Sequence, residues 1–204
     1  MTCKNCEHNY EGKFCSSCGQ KSSVERIDFT YLLNEVPSSI FQVNRGIFFT
    51  VKEMFVRPGH SAREFLEGKR IKFFKPLAYV FLTSTIYFLV TYYLIGEENI
   101  LEQILSGMKD ELGDQKVDDS ITLKAISWLA RNYAYASLVS VPVFSVASYL
   151  AFVRSGYNYF EHIVLNSFIA GQQMVIYVLL DSILMKTSLV ATISPVVAIG
   201  YLFW

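Results

Sequence analysis

PLAYVFLTSTIYFLVTYYLI, Pro76–Ile95, contains no charged residue in twenty positions. As an α-helix rising ~1.5 Å per residue it covers ~30 Å, the thickness of a bilayer's hydrocarbon core. This stretch must therefore sit in lipid, and the rest of the chain is read outward from it. Residues 133–153 form a second apolar span, with Pro142 inside it, where a local kink is expected. Residues 163–185 form a third. Residues 189–204 are apolar to the last position, at about 24 Å just short of a crossing. Either the fourth span is short or a C-terminal part is missing. The expected class is an all-α polytopic membrane protein with a bundle of three to four transmembrane helices.

The overall composition, 52% hydrophobic and 18% charged, hides a division. Residues 1–75 hold 12 of the 18 Lys+Arg and 8 of the 18 Asp+Glu, a net +4, whereas residues 96–131 hold 4 basic and 8 acidic residues, a net −4. Lys69, Arg70, Lys72 and Lys75 precede the first span, which places the N-terminal side in the cytoplasm. The acidic 96–131 loop then falls outside, and the turn at 154–162, with Arg154, returns to the cytoplasm. Lys186 in the outer turn at 186–188 runs against the rule. Tyr92 and Tyr93, and Trp128, Tyr133 and Tyr135, mark the outer interface. Within 96–131, Ile100, Leu101, Ile104, Leu105 and Met108 predict a short amphipathic helix, residues 113–120 a loop and residues 121–129 a surface helix. The polar N-terminus has no apolar core of signal-peptide length.

Upstream of the first span, residues 23–75 show helical periodicity without enough apolar length to cross. Phe29, Leu32, Leu33, Val36 and Ile40 form one stripe, shortened or kinked by Pro37. Ile47, Phe48, Val51, Met54 and Phe55 form a second, stopped by Arg57-Pro58-Gly59. Ser61-Ala62-Arg63-Glu64 reads as a capping box opening a third helix that ends near Gly68. In GKRIKFFKP (residues 68–76), basic residues alternate with Ile71, Phe73 and Phe74. Residues 45–75 are read as amphipathic helices on the membrane surface, with aromatic rings at headgroup level and anionic lipid as partner. Arg57, Arg63, Lys69 and Arg70 are candidates for a lipid or phosphate site. A solvated positive flank explains the same charges.

Residues 1–22 hold all four cysteines, as Cys3-x2-Cys6-x8-Cys15-x2-Cys18. Two CxxC turns aiming thiolates at one point complete a tetrahedral S4 site suited to Zn2+. Iron in a rubredoxin-like site uses the same ligands, and disulfide pairing ranks below metal because the segment faces the reducing cytoplasm. Four thiolates close the coordination shell, so the expected metal is structural. Gly19 suits a tight turn after the second pair, and Glu7 at the equivalent place is less suited. His8 reads as an exposed loop residue. A metal would supply the folding energy that so small a segment lacks. Lys4, Lys13 and Lys21 offset the charge of the metal centre. With only Tyr10 and Phe14 interleaved, nucleic acid is not an expected partner. A cytoplasmic protein partner of the ribbon is.

Inside the third span lie Asn166, Gln172, Gln173 and Asp181, expected to pack helices through hydrogen bonds, as are Thr83, Ser84, Thr85 and Thr91 of the first. Asp181 is read as close enough to the outer end to reach water. A small-molecule or ion transporter or channel, regulated by the ribbon, is the rival reading of these residues. No catalytic motif occurs, Glu161-His162 shows no third partner, His60 reads as a turn residue, and no enzyme is expected.

CxxC…FCSSCGQ, then VRPGHSAREFLEGKRIKFFKP, then a polytopic bundle, resembles the bacterial family known as domain of unknown function 3667. The resemblance covers residues 1–95 by motif and the remainder by hydropathy. In that family the first cysteine knuckle usually carries Gly where this chain has Glu7, and members continue beyond the point where this chain stops. The resemblance implies a bacterial inner-membrane protein with a cytoplasmic ribbon, and it carries no reaction and no catalytic residue. The expected function is a membrane-anchored interaction or scaffold module, in three parts: ribbon 1–22, juxtamembrane helices 23–75 and transmembrane bundle 76–204.

Overall fold

A computed structural model describes residues 1–33, 46–95, 124–125, 128–129, 132–184 and 200. All but Gly200 of the expected fourth span, nearly all of the outer 96–131 segment, and Val36, Pro37 and Ile40 lie outside these residues. Among the described residues, the helices with both ends defined are α1 (Gly46–Val56), α2 (Pro58–Glu67), α3 (Pro76–Ile95), α4 (Tyr133–Ala151) and α5 (Tyr159–Leu184), with a 3-10 turn at Val153–Ser155 between the last two. Three of them, α3, α4 and α5, are long and apolar enough to cross a membrane. The described residues contain no strand, only two isolated antiparallel bridges, Thr2 with Asn9 and Phe14 with Lys21.

Helix α5 is the centre of the bundle and packs on α3, α4, α1 and α2. It begins at Tyr159, four residues before the apolar run predicts, because the chain caps it there. The Asn158 side chain accepts from the Glu161 amide at 2.8 Å, and the Glu161 carboxylate accepts from the Asn158 amide at 2.7 Å. This reciprocal pair is a capping box that satisfies two otherwise orphan amides.

Close approach of α3 and α5 depends on Gly171. A Cβ there would lie 2.4 Å from the Tyr79 ring. Tyr79, fully buried, donates its hydroxyl to Gln172 Oε1 at 2.5 Å. Asn166 Nδ2 donates to Ser148 Oγ at 2.8 Å and to Ser145 Oγ at 3.2 Å, joining α5 to α4. The expected cross-helix role of Thr83, Ser84, Thr85 and Thr91 is corrected. Each hydroxyl donates to a carbonyl of its own helix, at Tyr79, Val80, Phe81 and Tyr87, 2.6–2.8 Å away. A short hydroxyl reaches the preceding turn of its own helix and gains nothing by crossing. Asp181 is buried rather than facing water.

Beneath the bundle lies a collar. Pro58 sits in the first turn of α2, where its missing amide costs nothing, so the helix starts one turn earlier than the Ser61–Glu64 reading. Ser61 is then interior to the helix, and no side chain caps its start. Helix α2 ends in a Schellman arrangement on Gly68, φ 114°, with Lys69 N–H on Glu64 O and Gly68 N–H on Phe65 O.

Phe65, Phe73 and Phe168 are all buried and meet edge-on at centroid distances of 5.2–6.3 Å, with Phe49 and Tyr79 against them. Phe73 and Phe74 therefore fill the collar's core instead of lying among headgroups. Burial of their rings against α5 and α1 offers more contact than an interfacial position. Thr50 Oγ1 accepts the buried Phe74 amide at 2.7 Å, which fixes this turn.

Candidate metal centre

The four cysteines sit on two knuckles that repeat each other after twelve residues. Cys3 N–H donates to His8 O as Cys15 N–H donates to Gln20 O. Glu7 N–H donates to Cys3 O as Gly19 N–H donates to Cys15 O. Tyr10 N–H reaches Met1 O as Ser22 N–H reaches Lys13 O. The equivalence extends to the backbone, with Glu7 at φ 61° and Gly19 at φ 75°. Glu7 thus makes the turn that its side chain disfavours. A left-handed residue with a Cβ costs ~1–2 kcal/mol, so Glu7→Gly is expected to stabilise the head by about 1 kcal/mol. Tighter zinc binding by the full chain in a chelator competition would show it.

The knuckles converge. Cys3 Sγ is 3.6 Å from Cys18 Sγ, Cys6 Sγ is 3.6 Å from Cys15 Sγ, and all four sulfurs lie within 4.8 Å of one another. A tetrahedral centre with ~2.3 Å metal–sulfur bonds has sulfur–sulfur edges of about 3.8 Å. A disulfide would need ~2.05 Å, and all four are free thiols. Cys3 and Cys15 are buried, with Tyr10 packed among them. The donor set fits a thiolate-bound metal ion. His8 stays exposed on the rim and contributes its carbonyl, to Cys3, rather than its ring.

The thiols do not titrate alike. The His8 amide pulls the Cys6 thiol down, but burial and the neighbouring thiols outweigh it and push it up to about 11. Burial raises Cys3, yet the Cys6 and Asn5 amides with the Cys18 and Cys6 thiols draw it down to about 7. The metal-free cluster therefore holds at least the Cys6 proton at neutral pH, which a metal must expel. Zinc affinity is expected to fall by at least about tenfold per unit as pH drops towards 7, and more steeply below about 7, where Cys3 also takes a proton. Competition with a chromophoric chelator at pH 6, 7 and 8 measures this slope.

The head is seated on the collar. Gln20, two residues beyond Cys18 and buried, donates Nε2 to Gly68 O at 2.9 Å and accepts the Arg70 amide on Oε1 at 3.4 Å. A Cβ on Gly68 would meet Val24 at 2.9 Å and Lys4 at 3.1 Å, so both the head and the segment that follows it press on this turn. Arg70 lies with its guanidinium 4.6 Å from the Tyr31 ring centroid and donates to Glu25 O at 2.9 Å. Arg26 clasps the buried Glu161 carboxylate with two bonds, 2.9 and 2.7 Å, and donates to Gly156 O at 2.6 Å. Ile27, buried beside it, has its carbonyl bonded by Asn158 Nδ2 at 2.9 Å.

Glu161-His162 therefore has partners that the sequence reading lacks. Glu161 holds Arg26, and His162 Nδ1 lies 3.1 Å from Ser148 Oγ. The Asn158-x-x-Glu161 spacing was a visible signal for the cap. The Arg26 pairing, 135 residues apart in sequence, left no local mark. In the proposed cluster of Arg57, Arg63, Lys69 and Arg70, two cations meet on the Glu64 carboxylate and the other two stand apart from it. Arg57 pairs with Glu53 at 2.5 Å and with Glu64 at 3.7 Å, Lys69 pairs with Glu64 at 3.0 Å, Arg63 is exposed, and Arg70 stacks on Tyr31.

Three apolar helices and a four-thiol head seated at one end of their bundle define a membrane protein with an N-terminal metal site. Residues 44–88 match the model of a family described as protein of unknown function (DUF3667), the family that the motifs resemble. The match takes in α1, α2 and the first part of α3. No curated protein and no solved structure matches the chain.

Proposed function

We propose that this protein is a membrane-anchored interaction scaffold of the bacterial inner membrane. Its N-terminal side faces the cytoplasm, and a structural zinc ribbon presents a docking face to a cytoplasmic protein. The Gln20 clamp on Gly68 carries the reading. It fixes the ribbon on the collar, while Phe14 stands 61% exposed beside Lys13. A closed S4 shell suits zinc as scaffold rather than catalyst, and residues 1–75, at net +4, suit the cytoplasmic side. We propose no enzymatic activity. The transporter reading is weaker because Asn166 is already engaged between helices and Gln172 Oε1 accepts from Tyr79.

The test is a crosslinked pull-down from native membranes, comparing wild type with Phe14→Ser and with Cys15→Ser/Cys18→Ser at equal membrane levels. A defined partner lost in both variants supports docking through the ribbon. Identical protein lists from all three would overturn it.

A further inference from the structure

A cleft of about 450 Å³ opens where the head, the 24–26 segment, the end of α2 and the turn before α5 meet. Its walls bring Lys4 from the first knuckle, Arg70 from the collar, and Glu25 and Glu67 to one space. Among the described residues, the side chains of Lys4, Glu25 and Glu67 make no hydrogen bond or ion pair. Arg70 is held by a ring and by carbonyls rather than by a carboxylate. The Arg26 and Glu161 charges, in the same wall, cancel each other at 2.7 Å. Two cations and two carboxylates thus face one cleft without pairing across it. That pattern matches a ligand carrying both signs.

The other side of the cleft indicates where such a ligand comes from. Ser155, Gly156 and Tyr157 form that wall; Phe152 and Val153, 63% and 59% exposed, stand at the end of a membrane-length helix, with the exposed Arg154 between them and the wall. Exposed apolar side chains thus stand within a few residues of a charged cleft. An acyl chain can lie on the first while a headgroup enters the second.

We propose that this cleft binds the headgroup of a primary-amine phospholipid, its phosphate towards Lys4 and Arg70 and its ammonium towards Glu25 and Glu67. A primary ammonium offers three N–H donors to the carboxylates, whereas a quaternary choline offers none. A glycerol headgroup leaves both carboxylates without a counter-charge. Lys4 lies between Cys3 and Cys6, so the cation is in place only when the knuckle is folded.

The test is native mass spectrometry of the full zinc-loaded chain in detergent, titrated with short-chain phosphatidylethanolamine, phosphatidylcholine or phosphatidylglycerol. Preferential retention of one phosphatidylethanolamine, at least about fivefold over the others, is expected, with the preference lost in Lys4→Gln and in Glu67→Gln. Both residues are exposed and leave the collar's bonds intact. Equal retention of all three lipids, or an undiminished preference in both variants, would overturn the proposal. Displacement by free phosphoethanolamine at a concentration equal to the lipid's would overturn the lipid assignment in favour of a soluble amino-phosphate.

Discussion

Cys15→Ser/Cys18→Ser is expected to empty the metal site and unfold residues 1–22. The head buries little apolar surface beyond Cys3, Cys15 and Tyr10, and its regular backbone bonding is confined to two knuckles. Segments of this size owe their folding to the metal, with apparent zinc-binding free energies of ~10–16 kcal/mol near neutral pH. Removing two of four thiolates forfeits most of that, and serine oxygens do not replace them for a soft ion. Zinc measured by mass spectrometry should fall from one ion per chain to none, with new protease cleavage in residues 1–30. A variant that keeps its zinc, or an unmetallated head as protease-resistant as wild type, would refute this. Helices α3 to α5 should persist, because their contacts do not involve the knuckles.

Phe65→Ala is the second large effect, expected to cost ~3–5 kcal/mol, the range for truncating a buried aromatic side chain. Phe65 is 1% exposed and lies 5.2 Å from the Phe168 ring and 6.2 Å from the Phe73 ring. It ties α2, the turn before α3 and α5 together at one point. Phe48→Ala, at a ring 83% exposed, should cost less than about 0.5 kcal/mol. Thermal unfolding of both variants in one detergent gives the comparison. Equal midpoints would show that the aromatic cluster does not hold the collar.

The bundle and the head were legible because both depend on local chemistry. Twenty uncharged residues have one environment open to them, and two CxxC pairs have few uses. The joint between them was not legible. Gln20 looks like an ordinary polar residue after a cysteine knuckle, and only the fold brings it to Gly68. Arg26 has no feature to mark it as the partner of Glu161. The alternation in GKRIKFFKP suggested a membrane surface, because a sequence does not say whether a phenylalanine faces lipid or another ring. Phe73 met Phe65 and Phe168 instead. The start of α2 was misplaced for a nearer reason, since Ser61-x-x-Glu64 mimics a capping box while Pro58 had already begun the helix. Glu7 hid the twelve-residue repeat by standing where its counterpart is glycine.

The central claim is that the metal site and the membrane collar form one mechanical unit, joined at Gln20, Gly68 and Arg70. Amide hydrogen exchange of the full chain in lipid nanodiscs, zinc-loaded and then stripped by a chelator, tests it most directly. Protection across residues 68–74 should fall by at least about tenfold on stripping, and by a similar factor in zinc-loaded Gln20→Ala. Protection there that is unchanged by both treatments would contradict the account, leaving the head as a separate module on a tether.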